Sequence, residues 1–221
     1  MNRIAVVVPA HDEHNLLPGC LHSLAAATRP PTEVEIIVVA DACRDDTAEL
    51  AVAAGATVLR IDVQNVGVAR AIGMDHALRR GPEGLWLATT DADSRVPPVW
   101  LWWQLAHAQA GTDLLAGTVT VDDWSGWPGT VPGIYEAGYV SAPEPHVHGA
   151  NLGISATAYL AAGGFRPVDH DEDRGLVNEV LALGGRVVAD PRCPVVTSAR
   201  ADGRAPLGFS THLADLLLDA A

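Results

Sequence analysis

The chain has 221 residues, 48% hydrophobic and 19% charged, which excludes an intrinsically disordered protein and suits one domain with a sizeable core. Fourteen basic residues against 27 acidic ones leave a net charge of −13, which argues against nucleic-acid binding. An anionic ligand then needs a metal or a few well-placed arginines to overcome the overall field.

No stretch approaches the ~20 apolar residues of a membrane span. The opening MNRIAVVVPAHDEH breaks off at Pro9 and its charges, too soon for a signal-peptide core. Three scattered cysteines, Cys20, Cys43 and Cys193, with no CxxC spacing, point to a reducing, cytoplasmic compartment.

Ile4–Val8 is continuously apolar and β-branched, as a buried first strand requires, and Pro9 ends it. Asp12 is a candidate N-cap for the periodic segment Leu16, Leu17, Cys20, Leu21 and Leu24, and Glu13 suits its first turn. Glu35–Ala40 is a second buried strand with Asp41 at its carboxyl end. Asp45-Asp46-Thr47 opens a helix in which Asp46 and Glu49 have capping-box spacing, and Gly55 closes it. Thr57–Ile61 is a weaker third strand. From Asn65 a helix runs to about Arg80, where Gly81-Pro82 stops it.

Leu85–Val96, LWLATTDADSRV, is the stretch around which the rest is organised. A short apolar run, a fourth buried strand, stops at two carboxylates one residue apart, Asp91 and Asp93. In open α/β sheets, ligands bind outside the carboxyl ends of the strands. Two carboxylates there suit a hard divalent cation that retains water or phosphate as its other ligands. Four strand–helix alternations argue for a doubly wound, mainly parallel sheet, with Asp41 and Asp91 lining one crevice.

Pro97–Ala110 reads as a helix with Trp100 and Trp103 on a core face and Trp102 turned elsewhere. Asp113–Val121 is a strand. Asp122–His148, rich in Gly and Pro, reads as a long functional loop whose Trp124, Trp127, Tyr135 and Tyr139 stack on a ligand or pack beneath the loop. A helix ends at Gly163-Gly164. The acidic cluster Asp169–Asp173 opens another, closed by Gly184-Gly185. Arg186–Ala189 and Val195–Thr197 are short strands. Ser198–Arg204 carries Arg200 and Arg204, and Phe209–Leu218 is an amphipathic helix. His146 and His148 share one side of an extended segment, as metal ligands do, while His212 falls within the last helix.

The set VVVPAHDEHNLLPGCLHSL, IIVVADACRDDT, NVGVARAIGMDHAL, TTDADS, HGANLGISATAYLAAGGF and DEDRGLVNEVLALGGRVV, in this order and spacing, resembles the family-2 glycosyltransferases across nearly the whole chain. The resemblance implies an α/β fold of GT-A type: a Rossmann-like nucleotide-diphospho-sugar transferase domain over residues 1–221, with a mixed, mainly parallel sheet flanked by helices. Residues 1–115 form the donor half and 116–221 the acceptor side. It further implies transfer of a sugar from a nucleotide diphosphate, a UDP- or GDP-sugar, to a hydroxyl acceptor, with inversion and with Mg²⁺ or Mn²⁺.

By the same resemblance, Pro9, Ala10 and Glu13 lie near the donor nucleoside, Asp41 bonds the base, and Arg70 lies by the donor. Asp91 faces the ribose or sugar, and Asp93 holds the metal, with Asp91 beside it. Arg200 and Arg204 offset the diphosphate charge. Glu172-Asp173 matches the ED motif, with Asp173 as base and Glu172 the alternative. His148 and His212 are candidates to complete the metal site.

Two departures set this chain apart: Ala40, Ala42 and Cys43 flank the base-contacting Asp41 where the family carries an acid, Gly and Ser, which leaves the nucleobase unassigned, and Arg174-Gly175-Leu176 follows the ED pair where many relatives carry a further acid. The QxxRW motif of processive synthases is absent. The rival readings are a non-catalytic nucleotide-sugar-binding partner and a nucleotidyltransferase of similar fold. The latter normally shows a Gly-rich basic loop after the first strand, which PAHDEH does not supply.

Overall fold

A computed structural model describes residues 1–27, 31–141, 146–203 and 209–219. The first half alternates β1 (Arg3–Ala10), α1 (Leu17–Ala26), β2 (Glu33–Asp41), α2 (Thr47–Ala53), β3 (Thr57–Ile61), α3 (Val66–Leu78), β4 (Leu85–Thr89) and α4 (Trp100–Gln109). The second half adds β5 (Leu114–Val121), α5 (Val131–Ser141), a 3-10 turn (Gly149–Asn151), β6 (Leu152–Ser155), α6 (Ala156–Ala161), α7 (Glu172–Ala182), β7 (Val187–Thr197) and α8 (Phe209–Asp219).

The strands form one sheet in the order β3-β2-β1-β4-β6-β5-β7. Only β6 runs against its neighbours, wedged between β4 and β5. Period-two alternation on continuously apolar strands gives the sheet two buried faces. Ile4, Val6 and Val8 of β1 pack with α1, α4 and Trp100, while Ala5 and Val7 pack with α3, α6 and α7. A third cluster joins α5 to α8 through Val131, Tyr135 and Leu213. Among the described residues, no helix is long and apolar enough to cross a membrane.

Several local expectations are corrected. Asp12 does not cap α1. That helix starts at Leu17 with Leu16 as N-cap, and Asp12, at a left-handed φ of 51°, accepts the backbone N–H of Arg44. The capping box of α2 does not form either: Asp45 Oδ1 accepts the Thr47 N–H at 3.0 Å, and Glu49 pairs with Arg60. Helix α3 is capped by Asn65, whose side chain accepts the Val68 N–H, and ends at Leu78.

The segment 122–148 is not one long loop, because α5 lies inside it. Pro132 falls in the helix's first turn, where its missing N–H costs nothing, and Val131, Tyr135 and Tyr139 follow at helical spacing. The two short strands expected near the end are one element, β7. Its ladder with β5 breaks between Asp190 and Val195, where the chain bulges through Pro191–Pro194.

Candidate active site

Three parallel strands, β2, β1 and β4, deliver their carboxyl ends side by side. The loop after β1 is tied to the loop after β2. The Glu13 N–H donates to Thr47 Oγ1 at 2.7 Å, and His14 meets Asp45 Oδ2 at 2.8 Å. Asp41, at the end of β2, is buried, and its carboxylate accepts three backbone N–H groups, from Val63, Gln64 and Asn65 at 2.7–2.9 Å. It thereby fixes the turn that launches α3.

Arg70 on α3 is 4% exposed and joins the two halves of the molecule. One guanidinium nitrogen donates to Asp91 Oδ1 at 2.6 Å and another to Glu172 Oε1. Its Nε is buried without a partner among the described residues. Burial works against its charge, but Asp91 and Glu172 outweigh that and hold its pKa above the usual arginine range. Burial raises the Glu172 pKa, with Arg70 opposing. A Cβ on Gly149 would stand 2.3 Å from Arg70 Nη2, so this position admits only glycine without displacing the guanidinium.

Arg200, on the segment after β7, forms a fork on Glu13, at 2.8 and 2.5 Å, and lies 3.3 Å from Asp93 Oδ2. Glu13 is 5% exposed. The DAD segment is pinned to β7 from below: the Arg95 N–H donates to the Val196 carbonyl at 2.7 Å, and Ser94 Oγ meets Thr197 Oγ1 at 3.0 Å. The Asp93 pKa is pushed up to about 7, first by burial and then by Asp91, with Arg200 opposing. Asp93 is thus a largely buried carboxylate whose charge Arg200 offsets only in part, and with Asp91 it offers the hard oxygens a divalent cation takes. No third His, Cys, Asp or Glu among the described residues joins these two within common reach of one ion. The pair fits a cation whose other ligands are water or a substrate's phosphates.

On the other side, Asp173, in the first turn of α7, accepts the Gly149 N–H at 2.7 Å on Oδ2 and the Arg174 N–H on Oδ1. It has no ion-pair partner among the described residues. The turn that presents Gly149 is itself held by Asn151, which is fully buried. Asn151 accepts from Trp100 Nε1 at 2.9 Å and donates to the carbonyls of Thr118 and Cys193, bridging the break in the β5–β7 ladder. Gly117 makes room for it, since a Cβ there would lie 2.3 Å from Asn151 Nδ2.

A family model described as "Glycosyl transferase family 2" matches residues 5–153, most of the elements just described. The chain belongs to glycosyl transferase family 2. Curated proteins give no match. Among solved structures, TarS of S. aureus, residues 1–349 in complex with UDP-GlcNAc, is similar at TM-score 0.72 and 16% identity, covering 97% of this chain and 65% of that one. The mannosyltransferase PcManGT from Pyrobaculum calidifontis, in complex with GDP-Man and Mn²⁺, is similar at TM-score 0.67 and 19% identity, covering 99% and 70%. A mycobacterial protein is similar at TM-score 0.67 and 21% identity, covering 98% and 74%. With the seven-stranded, mostly parallel sheet, these likenesses give the fold as GT-A type.

In this family-2 chain, the residues singled out in the sequence fall into three groups. Pro9, Ala10, Glu13, Asp41, Asp91 and Asp93 lie at the carboxyl edge of β1, β2 and β4, and Arg200 reaches that edge through Glu13. Arg70 and Glu172 are turned onto each other, and Asp173 stands next to Gly149. Arg204 lies outside the described residues. His146 and His148 stack with Tyr139, the His146 ring 3.5 Å from it at 4°. The Nε2 of His146 meets the Tyr139 carbonyl, and that of His148 meets the Tyr139 hydroxyl. His212 is exposed on α8, edge-on to Tyr135 at 6.4 Å. The aromatics of 122–148 pack largely on one another and on α8. Sequence reasoning missed Asn151 and Gly149; the HGAN stretch was in view, but the partners of Asn151 are 33 to 51 residues away.

Proposed function

We propose that the chain transfers a sugar from a nucleotide diphosphate donor to a hydroxyl acceptor with inversion, and that Asp173 is the general base. One observation carries the assignment of the base. Of the adjacent acids Glu172 and Asp173, the first is buried on Arg70, whereas the second is only half-buried, oriented by two backbone N–H groups and, among the described residues, without an ion-pair partner. A carboxylate so held keeps lone pairs for a substrate hydroxyl.

In this reading Asp91 and Asp93 hold Mg²⁺ or Mn²⁺, which supplies charge stabilisation to the leaving diphosphate when bound. Arg200 faces the same diphosphate. Pro9, Ala10 and Asp41 frame the nucleoside. Asp173 takes the acceptor proton as the hydroxyl oxygen bonds to the anomeric carbon, while the bond from that carbon to the diphosphate oxygen breaks. The nucleoside diphosphate leaves on the side opposite the base, which inverts the anomeric centre. The complexes of the similar structures, with UDP-GlcNAc and with GDP-Man and Mn²⁺, support this donor class.

Calorimetric titration of UDP and GDP, with Mn²⁺ and with EDTA, tests the donor side. Equal affinity in EDTA, or an Asp93→Ala variant that binds as wild type does, would refute the metal role. Asp173→Asn is expected to lose about 10²–10⁴ in transfer rate while keeping nucleotide affinity. Full turnover in that variant, with loss in Glu172→Gln, would reverse the two roles.

A further inference from the structure

Arg200 stands between two carboxylates that hold it unequally. Glu13 takes both guanidinium nitrogens, at 2.8 and 2.5 Å, in the fork geometry that suits a single carboxylate. Asp93 has one ion contact, at 3.3 Å. Glu13 is the firmer of the two. Its backbone is bonded to Thr47 at 2.7 Å, and the Arg200 segment is held by Trp127 Nε1 on the Ala199 carbonyl and by Ser198 Oγ on the Arg200 N–H. Glu13 is therefore the anchor of the guanidinium and Asp93 its exchangeable partner. A cation arriving at Asp93 meets Arg200 already beside that oxygen.

We propose that Arg200 is the resident counter-ion of Asp93, that a divalent cation displaces it there, and that Glu13 retains the released guanidinium for the donor diphosphate. The inference rests on the reading of this edge as a nucleotide-sugar site. Metal alone must overcome Arg200, and diphosphate alone must face Asp91 and Asp93. Each ligand removes the obstacle to the other, and such coupling is reciprocal. Glu13 acts through Arg200 and is a positioning residue.

The test is Mn²⁺ titration of the full chain without nucleotide, followed by loss of the free-ion EPR signal, beside UDP and GDP titrations at saturating Mn²⁺. Arg200→Gln is expected to bind Mn²⁺ alone roughly five-fold more tightly or better and nucleotide about ten-fold more weakly. Because that change leaves Glu13 buried and unpaired, the double variant E13Q/R200Q accompanies it and is expected to move both affinities in the same directions. A merely structural role for Arg200 weakens both. Mn²⁺ affinity that is unchanged or lower in the folded double variant, with nucleotide binding intact in the wild type, overturns the inference alone. A wild type that binds neither nucleotide with Mn²⁺ overturns the proposed function, and this inference with it.

Discussion

Replacing Arg70 by methionine removes the cation that two acids share. Asp91 is 34% exposed and can turn to water, but Glu172 is 6% exposed and has no such exit. A buried, unpaired carboxylate escapes its burial cost by taking a proton, and that sets the size of the loss. From an ordinary glutamate value of 4.5, neutralisation at pH 7 costs at most about 3.4 kcal/mol, at 1.36 kcal/mol per unit, and the loss relative to wild type is smaller because burial already raises the Glu172 pKa there. The corresponding ceilings are about 2 kcal/mol at pH 6 and about 0.7 at pH 5. The sign follows from linkage. Without Arg70 the folded-state pKa of Glu172 lies further above its unfolded value, so stability is fully present below the unfolded pKa and is lost as pH rises. Urea denaturation of wild type and R70M at pH 5, 6 and 7 measures this. R70M/E172Q should recover most of the loss at pH 7. A loss below about 1 kcal/mol at pH 7, well short of the usual cost of breaking a buried pair, or one that does not shrink toward pH 5, would refute the reasoning.

Two further outcomes are expected. Asn151→Ala strands a buried indole N–H and two carbonyls, and should cost about 3 kcal/mol in chemical denaturation, since each unsatisfied group costs roughly 1–3; a loss under 1 kcal/mol contradicts the bridging role. The His148 pKa is pushed down from 6.5 to about 4, by burial and then by His146, so the folded state resists protonation and stability should fall as pH drops from 6.5 toward 4. Asp91 opposes the shift, while Arg174 and His212 add to it. His148→Asn should flatten that part of the stability–pH curve by about 2 kcal/mol, allowing for a ring only partly buried; an unchanged slope contradicts it.

The strands and helices of the first half were legible because both periodicities are clean there: Ile4–Val8 and Leu85–Ala88 are apolar on two faces, and Gly55 and Gly81-Pro82 punctuate the helices. Element ends were less legible. Asp12 and Asp46 have the composition of caps, but each capping oxygen depends on a backbone geometry that the neighbouring loop decides, and Asp45 and Arg44 took those bonds. Helix α5 was hidden by Gly129, Pro132, Gly133 and Gly138, residues that lower helix propensity yet are tolerated when Tyr135 and Val131 are buried against α8. The DAD and ED pairs were legible as acids at element ends. What each acid touches was not, because Arg70 meets Glu172 across 102 residues and Arg200 meets Glu13 across 187.

The six acids of the candidate site, four at the strand edge and two at the start of α7, are held by two different means, and the difference has chemical consequences. Asp41 and Asp173 rest on backbone N–H groups, which orient a carboxylate without occupying every lone pair. Asp91 and Glu172 share Arg70, and Glu13 and Asp93 share Arg200. Burial separates the two arginines. At 4% exposure Arg70 has little solvent to turn to, so its pair with the similarly buried Glu172 is costly to break and ties α3 to α7. Arg200, at 24%, can exchange partners at modest cost because water replaces part of what it gives up. In a chain of net charge −13, the proposed anionic donor would meet a favourable local field only where a cation such as Arg200 offsets these acids. The buried arginine fixes the geometry, and the more exposed one is the one that a ligand is proposed to displace.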